Sequence, residues 1–116
     1  KQTLIETTDK LISKKVKNPA ILVDISHDNS IDPATGKKDP MRQPQILDQL
    51  IKDLQSDSNL MTSVKGFMAE SFIKDGNQNA TRATCLNDLE YGQSITDGCL
   101  GIEKTETLIL KLHKNL

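Results

Sequence analysis

Three side chains of the kind that binds divalent metals stand in or directly after segments rich in strand-forming residues. His27 follows the run "AILVDIS", Glu70 lies near the end of "SVKGFMAES", and Asp97 lies inside "SITDGCLG". A neutral imidazole and two carboxylates are donors that Mn, Fe, Co or Zn ions accept. Two neighbouring carboxylates would repel each other without a cation. The residue types therefore indicate a divalent metal site if the three segments converge.

The spacing of the apolar residues predicts that they do converge. Side chains on a strand alternate between its two faces, so each candidate ligand shares a face with residues two, four or six positions away. These companions are Ile21, Val23 and Ile25 for His27; Val64, Gly66 and Met68 for Glu70; Ile95 and Cys99 for Asp97. In all three segments that face begins apolar and presents the ligand toward the carboxyl end, where parallel βα folds collect their reactive groups.

Each of the three residues also has a plainer explanation. His27 fits a hydrogen-bonded residue at the rim of a strand. Glu70 fits a helix N-cap or an ion-pair partner, and Asp97, which precedes Gly98, fits a turn acid. The joint metal site is favoured over these alternatives only if the assumed strand registers hold.

Helical and strand-like patterns alternate along the chain. Apolar residues at helical spacing predict three helices, and β-rich runs predict three strands. In chain order these are a helix over 3–16, a strand over 20–26, a helix that begins near Pro44 and carries the apolar stripe of 46–54, strands over 63–71 and 94–101, and a helix over 103–114. This alternation predicts an α/β fold built from parallel βα units.

Length and composition narrow the functional class. The chain has 116 residues, the size of one domain, and its 15 basic and 16 acidic residues form no basic block. We therefore expect no nucleic-acid partner and no membrane partner. The apolar runs are too short to cross a bilayer and Lys1 opens no signal-peptide pattern, which favours a cytoplasmic protein. Cys85 and Cys99 lack the spacing of a disulfide scaffold or a zinc module.

Three blocks around the candidate ligands resemble a known enzyme family. "DISHDNS", "GFMAESFIKDGNQ" and "YGQSITDGCLGIE" are similar, in the same order, to the last three signature blocks of type I 3-deoxy-D-arabino-heptulosonate 7-phosphate synthase, also called phospho-2-dehydro-3-deoxyheptonate aldolase. The resemblance implies a TIM (βα)8 barrel. It also implies that residues 1–116 are the C-terminal fragment of a single TIM-barrel synthase domain, with strands six to eight, their helices and the helix before strand six.

The resemblance implies a reaction and roles for the three ligands. The family condenses phosphoenolpyruvate with erythrose 4-phosphate in the first step of the shikimate pathway, which leads to the aromatic amino acids. His27, Glu70 and Asp97 match its ligands to the catalytic divalent metal. His27 would also lie near a phosphate and Asp97 near the sugar, which gives both a catalytic role. Asn29, Ser30, Asn77 and Gln78 would hold ligands or loops in place, with a purely structural turn role as the alternative.

Several parts of the family pattern are missing from the chain. The family's cysteine ligand, its phosphoenolpyruvate-binding Lys/Arg cluster and its erythrose 4-phosphate block belong upstream of the matched blocks. Arg42 and Arg82 are the only arginines, too few to rebuild a site for two phosphates. A complete (βα)8 barrel needs roughly 250 residues. We therefore expect a fragment that is inactive alone.

A piece cut from a barrel leaves unpaired strand edges and exposes side chains that once faced the interior, here Val23 and Met68. This predicts a homo-oligomer. Two alternatives to the synthase assignment remain at this stage. One is a related barrel synthase that also joins phosphoenolpyruvate to a sugar phosphate, and the other is a non-catalytic fragment that only oligomerises.

Overall fold

Helices and two parallel strands alternate in the computed structural model of the chain, which describes residues 1–82 and 86–115. In chain order the elements are α1 (Gln2–Ser13), β1 (Ile21–Asp24), α2 (Gln43–Gln55), α3 (Ser58–Ser63), β2 (Val64–Met68) and α4 (Ile102–Asn115). Short 3-10 turns follow β1 and precede α2. Cys85 lies outside the described residues, and none of the described helices is long and apolar enough to cross a membrane.

The three long helices form where the apolar spacing predicts them. α1 ends at Ser13, before the predicted end at 16, because Lys15 takes a left-handed backbone conformation with φ of 57°. The N–H groups of Lys15 and Val16 then bond back to the carbonyls of Ile12 and Leu11, which closes the helix end. α2 begins beside Pro44, as a helix first turn allows.

The two strands pair in parallel, and one face of the pair packs on the helices. Val23 stands opposite Phe67, and both contact the buried cluster formed by Ile25, Leu60, Leu100, Leu108 and four leucine and isoleucine residues of α2. The other face carries Leu22 opposite Gly66 and Asp24 opposite Met68. We call these four residues the open face. Leu22 is 71% exposed and Met68 is 45% exposed, so this face has little cover.

The prediction of a third strand over 94–101 is wrong, because this segment does not form a regular strand. This segment makes only isolated bridges, of which Leu100 with Ser71 is parallel and Cys99 with Gly76 is antiparallel. Side chains satisfy its backbone locally: the Ser94 hydroxyl accepts from Thr96 N–H, and the Asn77 amide donates to Thr96 O at 2.7 Å. Such bonds compete with a strand ladder. The chain is therefore a mixed α/β structure with one parallel pair among its described residues.

Candidate metal centre

The structure brings the three predicted ligands together. His27 Nε2 lies 3.1 Å from Glu70 Oε1 and 4.0 Å from Asp97 Oδ2. One donor atom from each residue falls within 4.8 Å of the other two. His27 and Glu70 are partly buried, whereas the Asp97 side chain is 51% exposed. The cluster thus lies at the surface, where an ion could reach it from solvent.

His27 is aimed by the turn that ends β1. The residue begins a 3-10 turn and has φ of 46°, which is unusual for a side-chain-bearing residue and is held by surrounding bonds. Asp24 supplies two of them: one oxygen accepts from Ser26 N–H and the other contacts His27 Nδ1, each at 2.8 Å. The Ser30 hydroxyl donates to His27 O, and the Asn29 amide donates to Asp24 O. The imidazole is therefore held by contacts within the protein.

Asp24 also determines the chemistry of the ring. Its hydrogen bond raises the pKa of His27 above the ordinary value, and the nearby charges of Asp24, Glu70 and Asp97 act in the same direction, while burial opposes them. In the neutral ring, a carboxylate at Nδ1 keeps the proton on that nitrogen and leaves the Nε2 lone pair free. Nε2 is the atom that faces Glu70 and Asp97.

Glu70 follows the end of β2 and is held by its main chain. Gln43 accepts from Glu70 N–H at 2.9 Å and donates to Glu70 O at 3.1 Å. Leu100 N–H donates to the same carbonyl at 3.0 Å. These bonds satisfy the polar groups of the Glu70 backbone beyond the last residue of the strand, so the start of its side chain is fixed.

Asp97 is placed by a bend that packs against a neighbouring loop. Gly98 follows it, and a Cβ at that position would lie 3.0 Å from Pro40 Cγ. Cys99 is buried, with its thiol 3.5 Å from Asp97 O and 3.9 Å from Glu70 Oε2. Burial raises the pKa of this thiol, a hydrogen bond with Ser94 opposes the shift, and the charges of Glu70 and Asp97 add to it. Cys99 therefore keeps its proton near neutral pH in the absence of a cation.

The alternation argument for this convergence is wrong, although the three residues do meet. Ile25 is fully buried, and with Val23 it belongs to the helix-packed side, whereas Gly66 and Met68 lie on the open face. The sequence therefore assigned His27 and Glu70 to opposite faces of the strand pair, and not to one common face. The left-handed turn at His27 ends the alternation and places its ring beside Asp24, a residue of the open face.

The four supporting residues have different positions. Asn29 and Ser30 brace the His27 turn, and Asn77 braces the bend at Thr96, next to Asp97. Gln78 instead bonds the main chain of Glu90 and Gln93, so it fixes the loop rather than a ligand. Sequence reasoning missed Asp24 and Gln43. The spacing of Asp24 three residues before His27 was a usable signal, but nothing in the sequence marked Gln43.

The donor set fits a divalent cation. Two ligand atoms, each about 2.1 Å from one ion, lie roughly 3 to 3.5 Å apart in tetrahedral or octahedral geometry. The 3.1 Å separation of His27 and Glu70 matches this value, and the 4.0 Å separation of His27 and Asp97 needs only a small movement. Beside the cluster is a cavity of about 180 Å³ that His27, Asp97, Asn77 and Lys38 help to line. Three protein ligands leave coordination positions open toward such a space.

The chain matches a known family over most of its length. Residues 5–110 match the model of the DAHP synthetase I family. The three candidate ligands, Asp24 and Gln43 all lie within the matched residues.

Named relatives cover the same region. The Tyr-sensitive phospho-2-dehydro-3-deoxyheptonate aldolase of Enterobacter agglomerans is 34% identical over 93% of this chain and 46% of its own length. The tyrosine-inhibited aldolase of Candida albicans is 40% identical over 86% of this chain and 25% of its own length. The Trp-sensitive aldolase of Escherichia coli is 38% identical over 79% of this chain and 23% of its own. The chain thus spans less than half of each relative.

A solved structure has a similar fold. The phospho-2-dehydro-3-deoxyheptonate aldolase of Francisella tularensis superposes with a TM-score of 0.71 at 29% identity. The match covers 95% of this chain and 29% of that one. The likeness in fold therefore extends over nearly all of the present chain and over a minor part of the solved protein.

Proposed function

Because the chain belongs to the DAHP synthetase I family, we propose that it is part of an enzyme that condenses phosphoenolpyruvate with erythrose 4-phosphate. The products would be 3-deoxy-D-arabino-heptulosonate 7-phosphate and inorganic phosphate, in the first step toward the aromatic amino acids. The observation that carries the proposal is the convergence of His27, Glu70 and Asp97 within the matched residues. The family match favours this reaction over that of a related sugar-phosphate synthase.

We further propose that residues 1–116 correspond to the C-terminal part of one TIM-barrel domain, strands six to eight with the preceding helix. Support comes from the parallel pairing of β1 and β2, from the helices that alternate with them, and from the small share of each relative that the chain covers. The segment 94–101 would then become the third strand only beside the remainder of a barrel. In isolation it makes only single bridges, at Ser71, Gly76 and Asn77.

His27, Glu70 and Asp97 are the proposed ligands of one divalent ion, with Mn, Fe, Co and Zn as candidates. Bound there, the ion would supply Lewis-acid polarisation of the aldehyde or activation of a water. Asp24 holds the ring so that Nε2 is available as a ligand, and Glu70 and Asp97 balance the positive charge. His27 is also the proposed neighbour of a substrate phosphate, and Asp97 the proposed contact to the sugar.

Metal titration of single variants tests the proposed centre. We expect His27→Ala, Glu70→Ala and Asp97→Ala each to weaken Co²⁺ binding at least about tenfold, because a lost ligand cannot be replaced in an open site. Asp28→Ala is the matched control, since Asp28 is 90% exposed and contacts Lys38 rather than the cluster. Equal Co²⁺ affinity in all four variants and the unmodified chain would rule out the three-residue centre.

A second candidate function has one observation in its favour. The exposed Leu22 and Met68 on the open face suit a fragment whose role is to associate with another copy. A turnover assay together with the solution mass separates the two functions. Association without metal binding would favour the non-catalytic role, and metal binding at the three ligands would favour the synthase role.

A further inference from the structure

Gln43 is fully buried and bonds the main chain of a residue distant in sequence. Its exposed fraction is 0%, and both polar atoms of its side-chain amide contact Glu70: Oε1 accepts from Glu70 N–H at 2.9 Å, and Nε2 donates to Glu70 O at 3.1 Å. A buried amide with both ends bonded is rigid, since breaking either bond would leave a polar group without a partner. We call this pair of bonds the Gln43 clamp.

The clamp lies where β2 loses its neighbouring strand. The last bond from β1 runs from Ile25 N–H to Met68 O, after which the chain enters the turn at His27. Glu70 is two residues beyond Met68, the next position at which a parallel neighbour would pair. A primary amide carries the same C=O and N–H groups as a peptide. The Gln43 side chain therefore takes the place of the strand that has turned away.

The same loop that leaves β1 leads to Gln43. It starts at the His27 turn, is tied back by a bond from Asp39 N–H to Ser30 O at 3.0 Å, and reaches α2 at Gln43. The position of His27 and the position of the clamp are thus set by one segment. This arrangement fixes the Glu70 backbone relative to the His27 ring.

We propose that Gln43 is a positioning residue that holds the Glu70 carboxylate in place as a ligand beside His27 Nε2. This inference rests on the proposed metal centre, because it concerns how one of its ligands is oriented. Without the clamp the Glu70 main chain would lose its N–H acceptor and one of the two donors to its carbonyl. The carboxylate would then sample positions away from the imidazole, and an incoming ion would have to order it.

Gln43→Met tests the proposal, with Gln49→Met as the matched control. Methionine keeps the length of the side chain and removes both hydrogen-bonding atoms. Gln49 lies on the same helix as Gln43, and its side chain bonds Asp53 rather than Glu70. Three measurements are made on each chain: the Kd for Co²⁺, the visible absorption spectrum at saturating Co²⁺, and the exchange rate of the Glu70 amide without metal.

We expect Gln43→Met to raise the Kd for Co²⁺ by about tenfold or more, as for other groups that orient a metal ligand. The Co²⁺ spectrum should change because the carboxylate binds in another geometry. The Glu70 amide should exchange at least about tenfold faster once its acceptor is gone. Gln49→Met should leave all three readouts close to those of the unmodified chain. A loss of stability alone would not alter the spectrum of the folded variant at saturating Co²⁺.

Two results would overturn the proposal. One is a Gln43→Met variant with unchanged Co²⁺ affinity and spectrum, even if it is less stable. The other is an unchanged exchange rate at Glu70. If the unmodified chain binds no Co²⁺, the proposed metal centre fails, and the clamp is then judged by the exchange rate of the Glu70 amide alone. An unchanged rate in Gln43→Met would show that Gln43 does not orient Glu70 toward the ring.

Gln43→Glu keeps the experiment decisive if the methionine variant does not fold. At a pH where it is ionised, the glutamate retains an acceptor for Glu70 N–H and has no donor for Glu70 O. We expect its Kd for Co²⁺ to lie above that of the unmodified chain, and below that of Gln43→Met where the latter can be measured. A Gln43→Glu variant with unmodified Kd and spectrum would contradict a positioning role.

Discussion

Asp24 and His27 form the charge pair on which the chemistry of the cluster depends. The contact between Asp24 Oδ2 and His27 Nδ1 raises the pKa of His27 above its ordinary value of 6.5. Because the folded-state pKa is the higher one, the protonated ring stabilises the fold fully below pH 6.5. That contribution is lost as the pH rises through the folded-state pKa.

Asp24→Asn should therefore lower the pKa of His27 toward its ordinary value. The substitution removes the charge and the strongest acceptor of the ring, whereas Asp28→Asn removes an exposed charge that pairs with Lys38. NMR titration of the His27 ring nitrogens measures both effects. An equal shift in the two variants would mean that general surface charge, rather than the Asp24 contact, determines the protonation of His27.

At the residue scale, the sequence predicted the site by chemical type and not by geometry. His27, Glu70 and Asp97 stand out as donors, and the structure brings them together. Gln43 resembles many other polar helix residues in sequence, because its role depends on a contact with Glu70 that spans 27 positions. A left-handed conformation at a histidine has no sequence signal either, since it is imposed by the bonds around it.

Among the elements, the loop between β2 and α4 needs a glycine at position 92, where its backbone lies close to the side chain of Ile73. Gly92 has φ of 79°, and a Cβ there would lie 3.0 Å from Ile73 Cβ. Gly36 has a similar φ of 67° with nothing within 4 Å of such an atom. Both glycines have a positive φ, and only Gly92 has a side chain close to the position of an added Cβ.

We expect Gly36→Ala to lower the free energy of unfolding by about 1 kcal/mol, the cost of a left-handed alanine. Gly92→Ala should lower it by at least about 2 kcal/mol, because the added methyl group also displaces Ile73. Urea denaturation of both variants gives the difference directly. A Gly92→Ala variant no less stable than Gly36→Ala would show that the contact with Ile73 relaxes freely.

At the element scale, long apolar periodicities were predicted well and short ones were not. α1, α2 and α4 each repeat an apolar stripe over three turns or more, and their predicted positions agree with the structure. The strand predicted over 94–101 was wrong because Ser94 and Thr96 bond to each other locally, and only scattered bridges join the segment to other parts of the chain. The short helix α3 was missed. Its capping residue Asp57 accepts from Asn59 and Leu60 N–H, a pattern that also suits a turn.

The molecule as a whole is elongated, as expected if part of its fold lacks a partner. Its radius of gyration is 16.9 Å, whereas a compact chain of this length has about 13 Å. The sequence predicted that Val23 and Met68 would be exposed. Met68 is exposed, but Val23 packs against the helices and Leu22 is exposed instead. The bulge between Ile21 and Leu22 interrupts the strand register there.

We expect the chain to self-associate through the open face. Leu22→Lys combined with Met68→Lys should weaken association at least about tenfold, since burying even one such side chain contributes roughly 1.5 kcal/mol or more. Ile109→Lys, a change at an exposed residue of α4, is the control. Sedimentation velocity across a dilution series measures the effect. A single monomeric species at every concentration would refute the expectation.

We also expect the isolated chain to make no seven-carbon product. Three ligands at an exposed site bind metal weakly, and the matched region covers only part of each relative. The test is phosphate release from phosphoenolpyruvate in the presence of erythrose 4-phosphate and Co²⁺. The His27→Ala variant serves as the blank. Steady release that requires both the sugar phosphate and the metal would contradict the prediction.

The parallel pairing of β1 with β2 has a consequence for how fast the chain folds. Ile21 pairs with Val64, so the two strands meet only after the whole intervening segment, including α2, has closed into a loop. Contacts between residues far apart in sequence slow folding, because chain entropy is lost before the contacts form. The meeting of His27 with Glu70 spans this loop, and the Gln43 clamp closes its second part. In a stopped-flow refolding experiment, Co²⁺ capture should therefore appear with the slowest phase, after helix formation is complete.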